Sequence, residues 1–263
     1  MKKTISFIII SLFAFHFTAS AQNLYIGSFY VTTQEEESLY GDGNNKWANR
    51  LPIISEMFKF EQPDVLGLQS LTASQLSQIT QRITTHRRSK NILYAKEMEL
   101  LSSGDVEELP EGNTCSWVKL QKGEKAFYVF NICFTTDQTV ASSAANLVRT
   151  AAGEINTEGL PCFIVGYLGV NETKTAYSRL NNKYPDCYTQ ASYKSGEFGT
   201  VNNFDLEANH GTNRNDFIFA SKGVTVKAYG ILNYGYYTSE SDGSHKRRLP
   251  STHFPVMAKV TLP

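Results

Sequence analysis

Four short apolar runs in this chain stop abruptly on small or polar residues, and they limit its fold more than any other feature. They are Val65-Leu66-Gly67-Leu68-Gln69-Ser70, Tyr128-Val129-Phe130-Asn131-Ile132-Cys133-Phe134, Phe163-Ile164-Val165-Gly166-Tyr167-Leu168-Gly169 and Ser251-Thr252-His253-Phe254-Pro255-Val256. Runs of this length and composition read as buried strands. A buried strand with a polar end presents its last side chains to a cleft at the edge of the sheet. Helix-period segments lie between the runs. Trp47 to Phe60 repeats Leu51, Ile54, Met57 and Phe58 on one face, and Thr72 to Thr84 repeats Leu76, Ile79 and Ile83. Ala141 to Ile155 reads as a third helix. Glu61-Gln62-Pro63-Asp64 closes the first of them, because proline biases its preceding residue away from helix. Further strands are expected over Leu24–Val31, Ile92–Tyr94, Cys115–Leu120, Asp216–Ala220, Val224–Ala228 and Phe254–Leu262, with turns at Glu111-Gly112-Asn113 and Lys122-Gly123. Helices and strands mix throughout, and later strands arrive in pairs. That order predicts an α/β (α+β) chain of packed sheets with helices outside.

The start of the chain is read separately. Lys2 and Lys3 precede an apolar stretch from Ile5 to Phe17, and Ala19-Ser20-Ala21 follows. This is the pattern of a cleavable signal peptide over residues 1–21, cut after Ala21. The apolar stretch is too short for a comfortable membrane span. The expectation is a periplasmic or secreted protein with no membrane span after cleavage, folded as one domain over residues 22–263. Without Lys2 and Lys3 the chain has 23 basic against 25 acidic residues, a net charge of −2. A protein that binds nucleic acid through phosphate contacts is usually basic, so composition gives no nucleic-acid signal. The basic segments His86-Arg87-Arg88 and His245-Lys246-Arg247-Arg248 are expected as solvated loops. Cys115, Cys133, Cys162 and Cys187 allow three full pairings in an oxidising compartment. None has CxxC spacing, which argues against a zinc site.

In order along the chain, PDVLGLQS, YVFNICF, LPCFIVGYLG, RNDFIFAS and STHFPVMAKV resemble the motifs of the endonuclease/exonuclease/phosphatase superfamily, the DNase-I-like phosphoesterases. The resemblance implies a four-layer sandwich of two packed mixed β-sheets flanked by helices. It also implies divalent-metal-dependent phosphoester hydrolysis, with Mg2+ or Mn2+ as the ion.

Several positions depart from the family pattern. Where that pattern has metal-binding asparagine and glutamate, this chain has Tyr30 and Ser70. Cys133 stands at the phosphate-contacting histidine, and Tyr167 and Gly169 stand at the aspartate and asparagine of GDFN. Thr252 replaces the aspartate that the resemblance pairs with the last histidine, so His253 is expected to lack its carboxylate partner. Gln69, Asn131, Asp216 and His253 remain. His253, Asp216 and Asn131 are the candidate catalytic residues. Mg2+ needs carboxylate or carbonyl oxygens in near-octahedral array, which Tyr30 and Ser70 do not supply. Hydrolysis needs metal charge, an oriented water and a phosphate clamp together. No metal or cofactor is therefore expected, and Tyr30 and Tyr167 are expected to fill the space of a metal and its waters. Glu172 or Asp42 would be the source of a relocated metal site.

The resulting expectation is an exported, monomeric pseudoenzyme that binds an unidentified phosphorylated molecule, glycan or protein in the inherited cleft. The competing expectation is an active phosphoesterase with a rearranged metal site. A third is a hydrolase with Cys133 as nucleophile. Tyr234, Tyr236 and Tyr237 are expected to pack a loop onto a sheet, and His210 to sit in a loop.

Overall fold

The computed structural model describes residues 22–40, 42–206 and 211–263. The predicted signal peptide and His210 lie outside the described residues. The strands are β1 (Gln22–Tyr30), β2 (Val65–Gln69), β3 (His86–Ser89), β4 (Ile92–Ala95), β5 (Glu99–Asp105), β6 (Thr114–Lys122), β7 (Lys125–Cys133), β8 (Cys162–Tyr167), β9 (Tyr193–Ser195), β10 (Asp216–Ala220), β11 (Thr225–Ile231), β12 (Tyr236–Ser239), β13 (His245–Arg248) and β14 (Val256–Leu262). The helices are α1 (Gln34–Tyr40), α2 (Trp47–Glu61), α3 (Ala73–Arg82), α4 (Gln138–Ile155), α5 (Thr175–Asn181) and α6 (Cys187–Gln190).

Two mixed sheets carry the fold. One has seven strands in the order β3-β4-β2-β1-β14-β11-β9, and the other has five in the order β10-β8-β7-β6-β5. Parallel pairs β1–β2 and β7–β8 bring four polar strand ends to one edge. Alternation along each strand builds the layers, since successive side chains point to opposite faces. Leu24 and Ile26 on β1, Val65 on β2, Phe127 and Val129 on β7, and Phe163 and Val165 on β8 meet in one core between the sheets. The alternate residues Phe29, Leu66 and Leu68 face α2 and α3. Phe130, Ile132, Ile164, Phe217 and Phe219 face α4 and α5. Three apolar layers separate four layers of structure, as the resemblance implied.

The differences from the expected elements have local causes. α4 begins at Gln138 because the Asp137 carboxylate accepts from the Thr139 and Val140 amides. Thr72 is the N-cap of α3, in a capping box with Gln75, and not its first residue. The two basic segments are strands, not solvated loops. His86 is buried in β3 and its Nε2–H donates to the Pro63 carbonyl at 2.6 Å. Arg248 is buried at the end of β13 between Asp42 and Glu240. Each segment buries one end against a specific partner, which a charge count does not reveal. Tyr236 is buried and Tyr234 donates to Glu61 at 2.6 Å, so both pack their loop, whereas Tyr237 is exposed.

Arg50 on α2 is fully buried, and protein acceptors take its whole guanidinium. Nη1 donates to the carbonyls of Val31 (2.8 Å) and Pro250 (3.0 Å). Nη2 donates to the Thr32 carbonyl (3.0 Å) and the Glu37 carboxylate (2.6 Å), and Nε donates to the Asn45 carbonyl (2.9 Å). The planar, permanently charged fork suits this task, and lysine would not reach so many acceptors. It holds the segment leaving β1 against the segment entering β14, and both of these carry site residues. Arg50→Met is expected to lower unfolding free energy by about 3–5 kcal/mol, because it leaves Glu37 and the carbonyls without their cation. Urea denaturation of both proteins measures the difference.

Candidate functional site

Continuing the inward-facing register of the central core to the strand ends gives Tyr30, Gln69, Asn131, Cys133, Tyr167 and Asp216. The apolar layer gives way there to a polar one, and His253 enters it from the segment before β14. Asn131 is nearly buried and ties the sheets together: its Oδ1 accepts from Gln69 Nε2 at 2.6 Å and its Nδ2 donates to the Leu68 carbonyl at 3.0 Å. Gly67 makes room for that tie, since a Cβ there would lie 2.6 Å from Asn131 Oδ1.

His253 does not lack a carboxylate. Its Nδ1 lies 2.8 Å from Asp216 Oδ2, and both side chains are buried. The expectation that Thr252 had removed the partner is therefore corrected: Asp216, the first residue of β10 and 37 positions away, supplies it. Thr252 serves the backbone instead. Its hydroxyl lies 2.6 Å from Thr32 Oγ1, and its amide donates to the same oxygen at 3.0 Å. Thr32 needs this support, because a β-branched residue at φ +71° is strained.

Tyr30 and Tyr167 close around the histidine. The Tyr30 ring stacks on His253 with centroids 4.1 Å apart, and Tyr167 meets His253 edge-on at 5.1 Å and Tyr30 at 4.9 Å. Burial, and then the hydrogen bond to Glu36, push the Tyr30 phenol well above its ordinary range. Burial and the Asp216 charge do the same for Tyr167. Both remain neutral phenols.

The carboxylate that reaches this site is Glu36 on α1, which the sequence reading missed. Tyr30 donates to Oε1. Oε2 accepts from Ser70 Oγ (2.6 Å), the Thr33 amide (2.8 Å) and Thr33 Oγ1 (3.1 Å). Burial alone would raise this acid, but the Ser70, Tyr30 and Thr33 donors outweigh it and hold it below the usual carboxylate range. Thr33-Gln34-Glu35-Glu36 is a capping-box pattern, the signal that would have found α1 and its inward glutamate.

Glu172 and Asp42 do not rebuild a metal centre. Glu172 accepts from the Arg214 amide at 2.8 Å, and Asp42 pairs with Arg248 and Lys246. The residues present do not fit a divalent cation. Both Glu36 oxygens and one Asp216 oxygen are already engaged, and Tyr30 and Ser70 offer only neutral hydroxyls. Among the described residues, no three His, Cys, Asp or Glu side chains converge as a cation cage. Cys133 is no poised nucleophile either, because burial pushes its thiol up to about 12. All four cysteines are free thiols.

Gly169 has φ +77°, and a Cβ at that position would lie 1.8 Å from the Thr135 carbonyl oxygen. The backbone excludes the asparagine of the family pattern. Beside the aromatic cluster opens a cleft of about 710 Å3. Gln69, Ser70, Asn131 and Cys133 form part of its wall, with Lys90, Asp105, Glu107 and Glu108 on the lining.

Known structures share this architecture. An endonuclease/exonuclease/phosphatase family protein from Bacteroides thetaiotaomicron superposes with TM-score 0.85 at 23% identity, covering 93% of this chain and 99% of that one. This chain has the endonuclease/exonuclease/phosphatase fold. A mannosyl-6-phosphatase from Bacteroides thetaiotaomicron gives TM-score 0.82 at 24% identity, covering 90% and 99%. Truncated TDP2 from Caenorhabditis elegans gives 0.67 at 16%, covering 90% and 97%. No family model and no curated protein matches the chain.

Two outcomes follow from the site. Gly169→Asn is expected to cost about 1–3 kcal/mol or more by overpacking and a disfavoured φ, without creating a cation site, as read by urea denaturation with and without Mn2+. Glu36 is lowered in the folded state, so its stabilisation is complete above the unfolded value near 4.5 and is lost as pH falls through the folded value. Glu36→Gln should flatten the acid limb of stability below that pH, as measured by thermal melts across a pH series.

Proposed function

We propose that this is an exported protein of the endonuclease/exonuclease/phosphatase fold that binds a ligand in the cleft walled by Gln69, Ser70, Asn131 and Cys133 and does not hydrolyse phosphoesters with a divalent metal. One observation carries the reading: Tyr30 covers the face of His253 while its hydroxyl is bonded to Glu36. The same ring thus shields the retained histidine and engages the carboxylate that a cation would need. The likeness to phosphatases supports the fold and the position of the cleft, and activity does not travel with fold. The lining also favours one kind of ligand. Among the described residues Lys90 is its single cation, and it is paired with Asp105 at 2.6 Å. Glu107 and Glu108 leave the cleft acidic, which suits a glycan or a cationic peptide better than a phosphorylated molecule.

The Asp216–His253 pair favours a second reading. An oriented imidazole is the usual means of protonating a leaving group or contacting phosphate, and the neighbouring mannosyl-6-phosphatase fold makes a phosphomonoester the natural substrate to try. Assays of a generic phosphodiester and a phosphomonoester, each with Mg2+ or Mn2+, separate the two. The expected result is no turnover that depends on His253. Turnover by the purified protein that disappears in His253→Ala overturns the binding reading.

A further inference from the structure

Four donors converge on one carboxylate where β1 and β2 end. Tyr30 donates its hydroxyl to Glu36 Oε1. Glu36 Oε2 accepts from Ser70 Oγ at 2.6 Å, from the Thr33 amide at 2.8 Å and from Thr33 Oγ1 at 3.1 Å. Tyr30 and Ser70 come from parallel neighbours, since Tyr30 pairs with Gln69, the residue before Ser70. Ser70 takes a left-handed φ of +46°, a conformation that a serine holds only where its surroundings fix it. Donors gathered on one pair of oxygens suit an oxyanion, because hydrogen bonds to a charged acceptor are shorter and stronger than neutral ones. The position favours negative charge. Burial alone would raise Glu36, yet the Ser70, Tyr30 and Thr33 donors hold it below its ordinary range, and the Arg50 charge attracts it as well.

The polarity at positions 30 and 70 is the reverse of what a cation needs. A divalent ion calls for oxygen acceptors, and Tyr30 and Ser70 present O–H donors. Glu36 is also free to leave without unpacking a core. α1 buries none of its residues, so turning Glu36 outward uncovers no apolar surface. The second anchor of α1, the Glu37 pair with Arg50 at 2.6 Å, does not involve Glu36. Thr33 and Ser70 both line the cleft of about 710 Å3. A ligand in that cleft therefore touches two of the three residues that hold Glu36.

We propose that Tyr30, Thr33 and Ser70 form a carboxylate subsite at this end of the cleft, that Glu36 fills it in this structure, and that the carboxylate of a bound ligand takes the place of Glu36. The inference deepens the ligand-binding reading of the cleft and rests on it for there being a ligand. Glu36 is then a built-in competitor. A tethered group competes at an effective concentration of about millimolar or more, so a simple carboxylate is turned away and a ligand with further contacts in the cleft displaces it. Asp105, Glu107 and Glu108 on the lining meet the rest of that ligand, whose body is neutral or cationic.

Acetate is the probe, because it reproduces the end of a glutamate side chain. Glu36→Ala removes the competitor and leaves the donors in place. Acetate at ten times its dissociation constant should raise the melting temperature of this variant by about 3–6 °C, and chloride at equal ionic strength should not. The wild type should show no such rise over the same range, and Glu36→Ala/Ser70→Ala should lose most of it. A far-ultraviolet spectrum matching wild type establishes that a variant is folded, and Glu36→Ser makes the same removal should the alanine variant not fold. Four results overturn the proposal: no acetate-specific rise in a folded variant, an equal rise in the wild type, an equal rise in the double variant, or inorganic phosphate stabilising Glu36→Ala more than acetate does. Each of them leaves the ligand-binding reading in place, since that reading falls to turnover that depends on His253.

Discussion

The buried guanidinium of Arg50 is the contact on which the site end of the molecule depends. Strand register alone brings β1 and β14 together as antiparallel neighbours. It does not determine where the chain goes after Tyr30 or before Val256. Arg50 does so by gathering the carbonyls of Val31, Thr32 and Pro250 around one charge. Thr32 can then hold a strained backbone, Ser251 can reach the Tyr30 carbonyl at 2.5 Å, and His253 can lie against the Tyr30 ring. Burying such a charge is unfavourable unless every donor is met. The carbonyl cage meets that demand, and its geometry is therefore sharply specified.

A second layer of organisation rests on Glu36. One carboxylate closes the N-terminus of α1 and also receives Tyr30 and Ser70. Local capping and long-range closure of the site thus share one side chain. The neighbouring Glu37 carries the charge that answers Arg50. Two adjacent glutamates on a short surface helix therefore serve the site from opposite sides, although α1 buries no residue of its own. The helix is held by its carboxylates and not by an apolar face.

That arrangement explains what could be read in the chain beforehand. The strand ends were legible because buried strands announce themselves locally, as Val65 to Gln69 and Phe163 to Tyr167 do. The tyrosines at positions 30 and 167 were legible as replacements because the resemblance aligns them with the family's asparagine and with the aspartate of GDFN. α1 was not legible by periodicity, having no apolar stripe, and Glu36 went with it. The Asp216–His253 pair was not legible as a pair. Position 252 is adjacent in sequence and drew attention, whereas Asp216 is adjacent only after β10 has paired with β8. Arg248 and His86 were read as solvated for a related reason: burial at one end of a charged segment depends on partners from distant parts of the chain.

Gly169 has a consequence for how this site relates to others of the same fold. Its backbone lies so near the Thr135 carbonyl that no side chain fits without moving the β7–α4 connection. An asparagine at position 169 and the present path of residue 135 are mutually exclusive. An asparagine at position 169 therefore requires the main chain at Phe134 and Thr135 to move with it. Side chain and main-chain path are coupled at this position, so replacing the side chain alone leaves the loop without the geometry that an asparagine there would need.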